Sequence, residues 1–195
     1  MYEIPTSISI GEQSFAIRNR GDYRMVLDCF TCLSDYDLTE QERLYACLII
    51  FYEDFNDLED ILGLDVELIG ELTTKMFNFF NCNNTHSGIK TSFKAIDWDT
   101  DSQLICSAVN KIANVEVRAV EYLHWWTFMG YFTEIGESTL ATVVGIRNKI
   151  MKGKKLEKYE REFRNSNPQY FVWDSRTAQQ MEDDALLKEL WNFNS

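Results

Sequence analysis

The chain has 195 residues, of which 45% are hydrophobic and 14% aromatic, and its formal net charge is −12. This length suits one domain, and the apolar content excludes a wholly disordered chain. A strongly acidic chain is a poor general ligand for DNA, RNA or an anionic membrane surface, so none of these is the expected partner.

Residues 1–21 predict a short β-hairpin. Polar and apolar residues alternate in Ser7–Ile10 and again in residues 13–17, and Gly11 with Glu12 between them suits a tight turn. Asp22 then predicts a helix N-cap. The apolar face of the helix that follows is predicted to hold Met25, Val26, Cys29, Phe30 and Leu33.

Residues 22–81 predict an acidic helical part. Thr39 and Glu42 have the spacing of a capping box, and Gly63 suits the end of a short acidic helix. Two apolar stripes at helical spacing predict longer helices on either side of Gly63. The first stripe is Leu44, Tyr45, Leu48, Ile49, Tyr52 and Phe55, and the second is Val66, Ile69, Leu72, Met76, Phe79 and Phe80.

Residues 92–165 predict a central helical part, which follows a loop at residues 81–91. Thr100 and Gln103 resemble a second capping box before a helix over 104–113. Residues 115–132 are apolar around most of a helical circumference, which predicts a central buried helix. A further helix runs from Leu140 to Met151. Pro168 then separates a C-terminal arm, residues 166–195, with a last helix over about 175–192.

These patterns predict a mainly α fold, a single helical bundle of about six to eight helices with a short N-terminal β-hairpin. Residues 1–195 are predicted to form one domain. The longest strongly apolar stretch, 119–132, is too short and too polar to span a bilayer.

The candidate sites for chemistry are weak. Cys29, Cys32, Cys82 and His86 have donor types that a structural zinc would use, but buried free cysteines on a core helix explain Cys29 better. An odd set of five cysteines favours a reducing compartment.

Two further patterns have structural explanations. Residues 97–108 fail as an EF-hand loop, because Ser102 and Ala108 replace the required Gly and Glu. Glu121 and His124, three residues apart, are interpreted as a polar contact in a bundle rather than an acid–base pair. No cofactor and no enzymatic activity are predicted.

A basic segment and an apolar C-terminal stretch are the predicted partner-binding residues. The basic segment runs from Arg147 to Arg164. Its expected partner is an acidic protein, or the acidic 35–71 region of a second copy, rather than a nucleic acid. The apolar stretch either docks on the core or inserts into a partner groove. The predicted residues are Arg147, Lys149, Lys152, Lys154, Lys155, Lys158, Arg161, Arg164, Leu186, Leu187, Leu190 and Trp191.

Five sequence stretches carry a family resemblance: Ile96-Asp-Trp-Asp-Thr-Asp101, the aromatic run 117–132, Gly145-Ile-Arg-Asn-Lys-Ile150, residues 167–174 and the C-terminal Leu-Leu-Lys-Glu-Leu-Trp-Asn-Phe. Together they resemble a family of tail assembly chaperones from tailed bacteriophages and prophages of Gram-positive bacteria. Such proteins are encoded between the major tail protein and the tape measure protein.

The resemblance implies a holdase that coats the long helical tape measure protein in the host cytoplasm and yields it to polymerising tail tube subunits. The partner implied first is the tape measure protein, and the major tail protein and a second copy of the chain are the further candidate partners. The alternative hypothesis is a nucleic-acid-binding or zinc-dependent phage regulatory or structural factor.

Overall fold

The computed structural model describes residues 3–35, 37–83 and 95–175. Its described part contains eight α-helices and one two-stranded antiparallel sheet near the N-terminus, which confirms the predicted mainly helical fold with a hairpin. The chain groups into two compact units, Met1–Ser87 with Val109–Ile135, and Gly88–Ala108 with Gly136–Ser195. The division of one domain into parts at 1–21, 22–81, 92–165 and 166–195 stays a prediction.

The hairpin opens the first unit. Strands β1 (Ser7–Ile10) and β2 (Gln13–Ala16) pair with Ser7 opposite Ala16 and Ile10 opposite Gln13. Gly11 occupies the turn with φ +57°, a conformation that glycine adopts without steric cost. Phe15 anchors the hairpin, because its buried ring lies 6.0 Å from the ring of Tyr52.

Helices form the rest of the first unit, and two of their predicted starts are confirmed. The Asp22 side chain accepts from the Arg24 amide, and Thr39 with Glu42 forms the predicted capping box. Gly63 ends the short acidic helix as predicted. The helices are α1 (Tyr23–Leu33), α2 (Glu40–Phe51), α3 (Leu58–Leu62), α4 (Val66–Phe80) and α6 (Trp125–Thr133).

The buried face of α2 is rotated from the predicted stripe. Leu48, Tyr52 and Phe55 are buried as expected, the last two just beyond the end of α2. Leu44, Tyr45 and Ile49 are only half-buried. The buried positions of α2 are Arg43, Cys47, Leu48 and Phe51. Because α1 and α4 both pack on α2, its neighbours rather than its own apolar spacing decide which side is covered.

Aromatic rings fill the core of the first unit. Tyr23 stacks on Phe128 with centroids 4.6 Å apart, and Phe51 meets Phe80 edge-on at 5.5 Å. Trp125 is fully buried, and its indole N–H donates to the Phe80 carbonyl at 2.9 Å. Rings of this size contribute a large part of the burial free energy. The bond to Phe80 also satisfies the one polar atom of the Trp125 ring.

The second unit contains α7 (Thr139–Met151), α8 (Lys158–Ser166), a 3-10 segment (Pro168–Ser175) and the first residues of α5 (Ser102–Ala113). Val143, Ile146 and Phe171 are its buried centre. Partly buried apolar side chains surround that centre: Leu104, Ile150, Leu156, Phe163 and Tyr170.

The predicted capping box at Thr100 is wrong, because α5 begins at Ser102. The Asp101 carbonyl accepts from the Ile105 amide, so Asp101 is the residue that precedes the helix. The Asp97 carboxylate accepts from the amides of Asp99 and Thr100 and forms a local turn. These acids therefore shape a helix entry rather than a cation loop.

Candidate interaction surfaces

Arg147 is the polar centre of the second unit. Its side chain is 1% exposed, and all five of its N–H donors have acceptors. Nη1 donates to the Ala95 carbonyl at 2.9 Å and to Asp101 Oδ2, and Nη2 donates to Asp101 Oδ1 at 2.9 Å. Nε and Nη2 both donate to the Tyr170 carbonyl, at 2.9 and 2.6 Å. One guanidinium thus ties α7 to the start of α5 and to the 3-10 segment.

This placement corrects the prediction that Arg147 lies on a partner-binding surface. The spacing of Arg147 with Val143 and Ile150 puts it on the inward side of α7, and Asp101 neutralises its charge there. Lys149 is also engaged, because its ammonium lies 2.6 Å from a carboxylate oxygen of Glu160. That ammonium holds the pKa of Glu160 below its usual range.

The basic segment is not one continuous helix. α7 ends at Met151, and the chain turns through Gly153 at φ +61° before α8 begins at Lys158. We call residues 151–155 the basic turn. Its three lysines, Lys152, Lys154 and Lys155, are exposed, and Met151, the last residue of α7, is 41% exposed.

The exposed side of α8 presents the remaining predicted cations. Lys158, Arg161 and Arg164 are all exposed, and Tyr159 beside them is 64% exposed. Glu162 lies 3.9 Å from Lys158 and offsets part of this charge. Six of the eight predicted cations therefore remain on the surface of the second unit.

A second surface lies in the first unit, within the acidic 35–71 region that is a predicted site for the basic segment of a second copy. We call residues 57–67 the acidic face. Its exposed apolar side chains are Leu58 at 47%, Leu62 at 61% and Val66 at 85% exposure. Exposed acids alternate with them, and every charged residue from 44 to 74 is acidic. The predicted apolar stripe of α4 includes Val66, and this is wrong, because Val66 lies about 120° around the helix from the buried Leu72 and faces solvent.

The prediction of one central helix over residues 115–132, which include the aromatic run, is wrong. Asn114 ends α5 at φ 53°, and residues 120–124 are non-helical before α6 begins at Trp125. The Leu123 amide donates to Asp22 Oδ2 at 2.9 Å, and the Tyr23 amide donates to the Leu123 carbonyl. These bonds fix the aromatic run to the start of α1.

His124 is the N-cap of α6 rather than one half of a pair with Glu121. Its Nδ1 accepts from the Trp126 amide at 3.0 Å, so the proton of the neutral ring lies on Nε2. Nε2 then donates to the Pro5 carbonyl at 3.1 Å. Glu121 is exposed and precedes the helix. Burial lowers the pKa of His124, partly offset by the Pro5 bond and the charge of Asp22.

Two of the cysteine candidates for zinc, Cys29 and Cys32, lie on α1 and contact Cys47 of α2. Cys29 and Cys47 are buried where α1 meets α2, and the Cys47 thiol donates to the Cys29 carbonyl at 3.4 Å. Burial raises the pKa of the Cys82 thiol to about 12, and the thiol hydrogen bond with Cys47 raises that of Cys32. Across residues 3–35, 37–83 and 95–175, no three His, Cys, Asp or Glu side chains converge as a metal site.

His86, Leu186, Leu187, Leu190 and Trp191 lie outside the described residues, as does the predicted helix over 175–192. Among the helices that are described, none combines the length and apolarity needed to cross a bilayer.

An open groove of about 340 Å³ lies in the first unit and is lined partly by Arg18, Asp28 and Ile49. Arg18 is already occupied there, because it donates to the carbonyls of Tyr52 and Phe55. Burial raises the pKa of Asp28. The groove thus contains a structural guanidinium beside one carboxyl group.

Comparison with known proteins identifies the family of the chain. A family model described as Bacteriophage Gp15 protein matches residues 2–171. No curated protein and no solved structure matches the chain. The match spans both compact units, including the hairpin, the aromatic run, the Arg147 centre and α8. The chain therefore belongs to the bacteriophage Gp15 protein family.

Proposed function

We propose that this protein is a phage tail assembly chaperone, which binds the tape measure protein in the host cytoplasm and delivers it to tail tube subunits. The observation that carries the proposal is the family match over residues 2–171, joined to the resemblance of the aromatic run to tail assembly chaperones. A binding role, not an enzymatic one, accounts for these features.

The surface chemistry supports a binding role. A holdase needs exposed side chains that contact the apolar and charged groups of an incompletely assembled partner. Tyr159 is 64% exposed and lies between the cations Lys158 and Arg161 on α8. We place the tape measure contact on these residues and Arg164, together with the C-terminal Leu186, Leu187, Leu190 and Trp191.

The test is co-expression with the tape measure protein of the same phage. We expect the tape measure protein to become soluble and to co-purify with the chaperone. Replacing Lys158, Arg161 and Arg164 by glutamine should reduce the recovered complex by about tenfold, since exposed charges set complementarity at an interface. Glutamine retains helix propensity, so α8 itself should persist.

Two matched variants serve as controls. Glu162→Gln removes a charge of the opposite sign from the same helix, and Lys75→Gln removes an exposed cation from α4. Both should co-purify with the tape measure protein at the wild-type level or above. A tape measure protein that is soluble yet unbound, or insoluble in the presence of the chaperone, would contradict the proposal.

A further inference from the structure

Two exposed surfaces of this chain have opposite charge, and each includes apolar side chains. The acidic face of the first unit carries Leu58, Leu62 and Val66 among carboxylates. The basic turn of the second unit carries three lysines next to Met151, which is 41% exposed. Large apolar side chains in contact with water are favourable binding positions when the charges around them match a partner.

The acidic face lacks a cation of its own. Every charged residue from 44 to 74 is an acid, including Glu59, Asp65 and Glu67 on the face itself. Asp57 and Asp60 are occupied in the capping box of α3, so the carboxylates that remain available are Glu59, next in sequence to Leu58, and Asp65 and Glu67, on either side of Val66. A complementary partner must therefore supply cations together with apolar contacts.

The basic turn provides that combination. Lys152, Lys154 and Lys155 lie within four consecutive residues, interrupted only by Gly153, and residues 151–155 contain no acid. The left-handed conformation of Gly153, φ +61°, bends the chain tightly at this point and holds the lysines on a short turn. Lysine side chains can also cover apolar surface with their methylene groups while the ammonium remains hydrated.

We propose that the acidic face of one copy binds the basic turn of a second copy, so that the protein self-associates head to tail. The two contacting surfaces differ, so the contact is heterologous, and each bound pair retains one free surface of each kind. Further copies can then add in the same way. The inference does not depend on the identity of the tape measure partner, since both surfaces belong to this chain.

The experiment is sedimentation velocity on the full chain over about 10 to 300 µM, the range in which weak protein contacts form. At low salt the mean mass should rise with concentration above that of one chain. The dissociation constant should increase about tenfold in about 0.5 M NaCl, because exposed charges are screened there. A chain that remains monomeric over this range, or associates independently of salt, would overturn the proposal.

Paired variants identify the surfaces. One variant carries Leu62→Ser and Val66→Ser, and the other carries Lys152→Ser, Lys154→Ser and Lys155→Ser. All five positions are exposed, so both variants should keep the wild-type circular dichroism spectrum and thermal midpoint within error. For each variant alone, the dissociation constant of self-association should be about tenfold higher than for the wild type.

The mixture is the decisive measurement. The first variant retains an intact basic turn and the second an intact acidic face, so mixing them should give a one-to-one pair that grows no further. Lys75→Ser, which removes an exposed cation on α4, should associate like the wild type. If either surface variant self-associates like the wild type, or if the mixed variants remain separate, the proposed contact is wrong.

Discussion

Arg147 offers the sharpest test of the structure, because one side chain joins three segments of the second unit. Replacing it with methionine keeps most of its volume but removes all five hydrogen bonds. Asp101, 1% exposed, would then be a buried carboxylate whose remaining bond is from the Asp97 amide. The carbonyls of Ala95 and Tyr170 would also lose their donors.

The expected cost follows from these lost partners. Breaking a buried ion pair by removing one member typically costs 3–5 kcal/mol, so we expect a loss of about 4 kcal/mol in the free energy of unfolding. Domains of this size are stable by only about 5–15 kcal/mol, so the variant should be close to unfolding. Removing both charges, as Arg147→Met with Asp101→Leu, should recover at least about half of the loss, since no unpaired charge remains.

Hydrogen exchange measured by mass spectrometry locates the effect. In Arg147→Met, peptides from α7, α8 and residues 168–172 should lose protection first, and peptides from α1, α2 and α4 should lose less. Lys155→Met is the control, because it removes an exposed cation from the same unit and should change stability by less than about 0.5 kcal/mol. Equal effects of the two substitutions in urea denaturation would refute the assignment of Arg147 as a buried anchor.

Two further predictions concern the first unit. Burial lowers the pKa of His124, so the folded state favours the neutral ring. This contribution to the free energy of unfolding should be fully present above about pH 6.5 and should be lost as the pH falls from there through the folded pKa. The urea midpoint should therefore be lower at about pH 5.5 than at about pH 7.5 in the wild type and in His86→Asn. In His124→Asn, which retains a capping side chain, this difference should shrink, and an unchanged difference would contradict the assignment. Gly21→Ala would place Cβ 2.8 Å from Phe79 Cζ at φ +77°. It should destabilise by about 1–3 kcal/mol more than Gly11→Ala, where φ is +57° and nothing lies within 4 Å of the added Cβ. Equal unfolding free energies for the two alanine variants would show that the close approach at Gly21 is not rigid.

Local chemistry explains which features were predictable. The hairpin turn at Gly11, the N-cap at Asp22, the capping box at Thr39 and the helix end at Gly63 each depend on residues within four positions of one another. The apolar stripe of α1 was likewise sufficient to place its buried face. Such signals are complete within the sequence, so the prediction did not require the fold.

For the predicted central helix, hydrophobic periodicity gave the wrong structure. Residues 115–132 satisfied a helical pattern, but the bonds of Leu123 to Asp22 and Tyr23 compete with the helix and hold the preceding residues away from helical geometry. The bond from Nε2 of His124 to the Pro5 carbonyl favours the tautomer whose Nδ1 caps α6. These partners are about a hundred residues away in sequence, so no local window contains them.

The sequence by itself determined the helical class, the hairpin, the capped helix starts at Asp22 and Thr39 and, through its resemblance to tail assembly chaperones, the phage family of the chain. Tertiary structure alone decided which charges are available to a partner. Arg147 and Lys158 belong to the same basic segment, yet Arg147 is buried against Asp101 and Lys158 is exposed. The carboxylate that neutralises Arg147 enters from α5, and a sequence pattern along one helix does not reveal the charge that a neighbouring element brings to it.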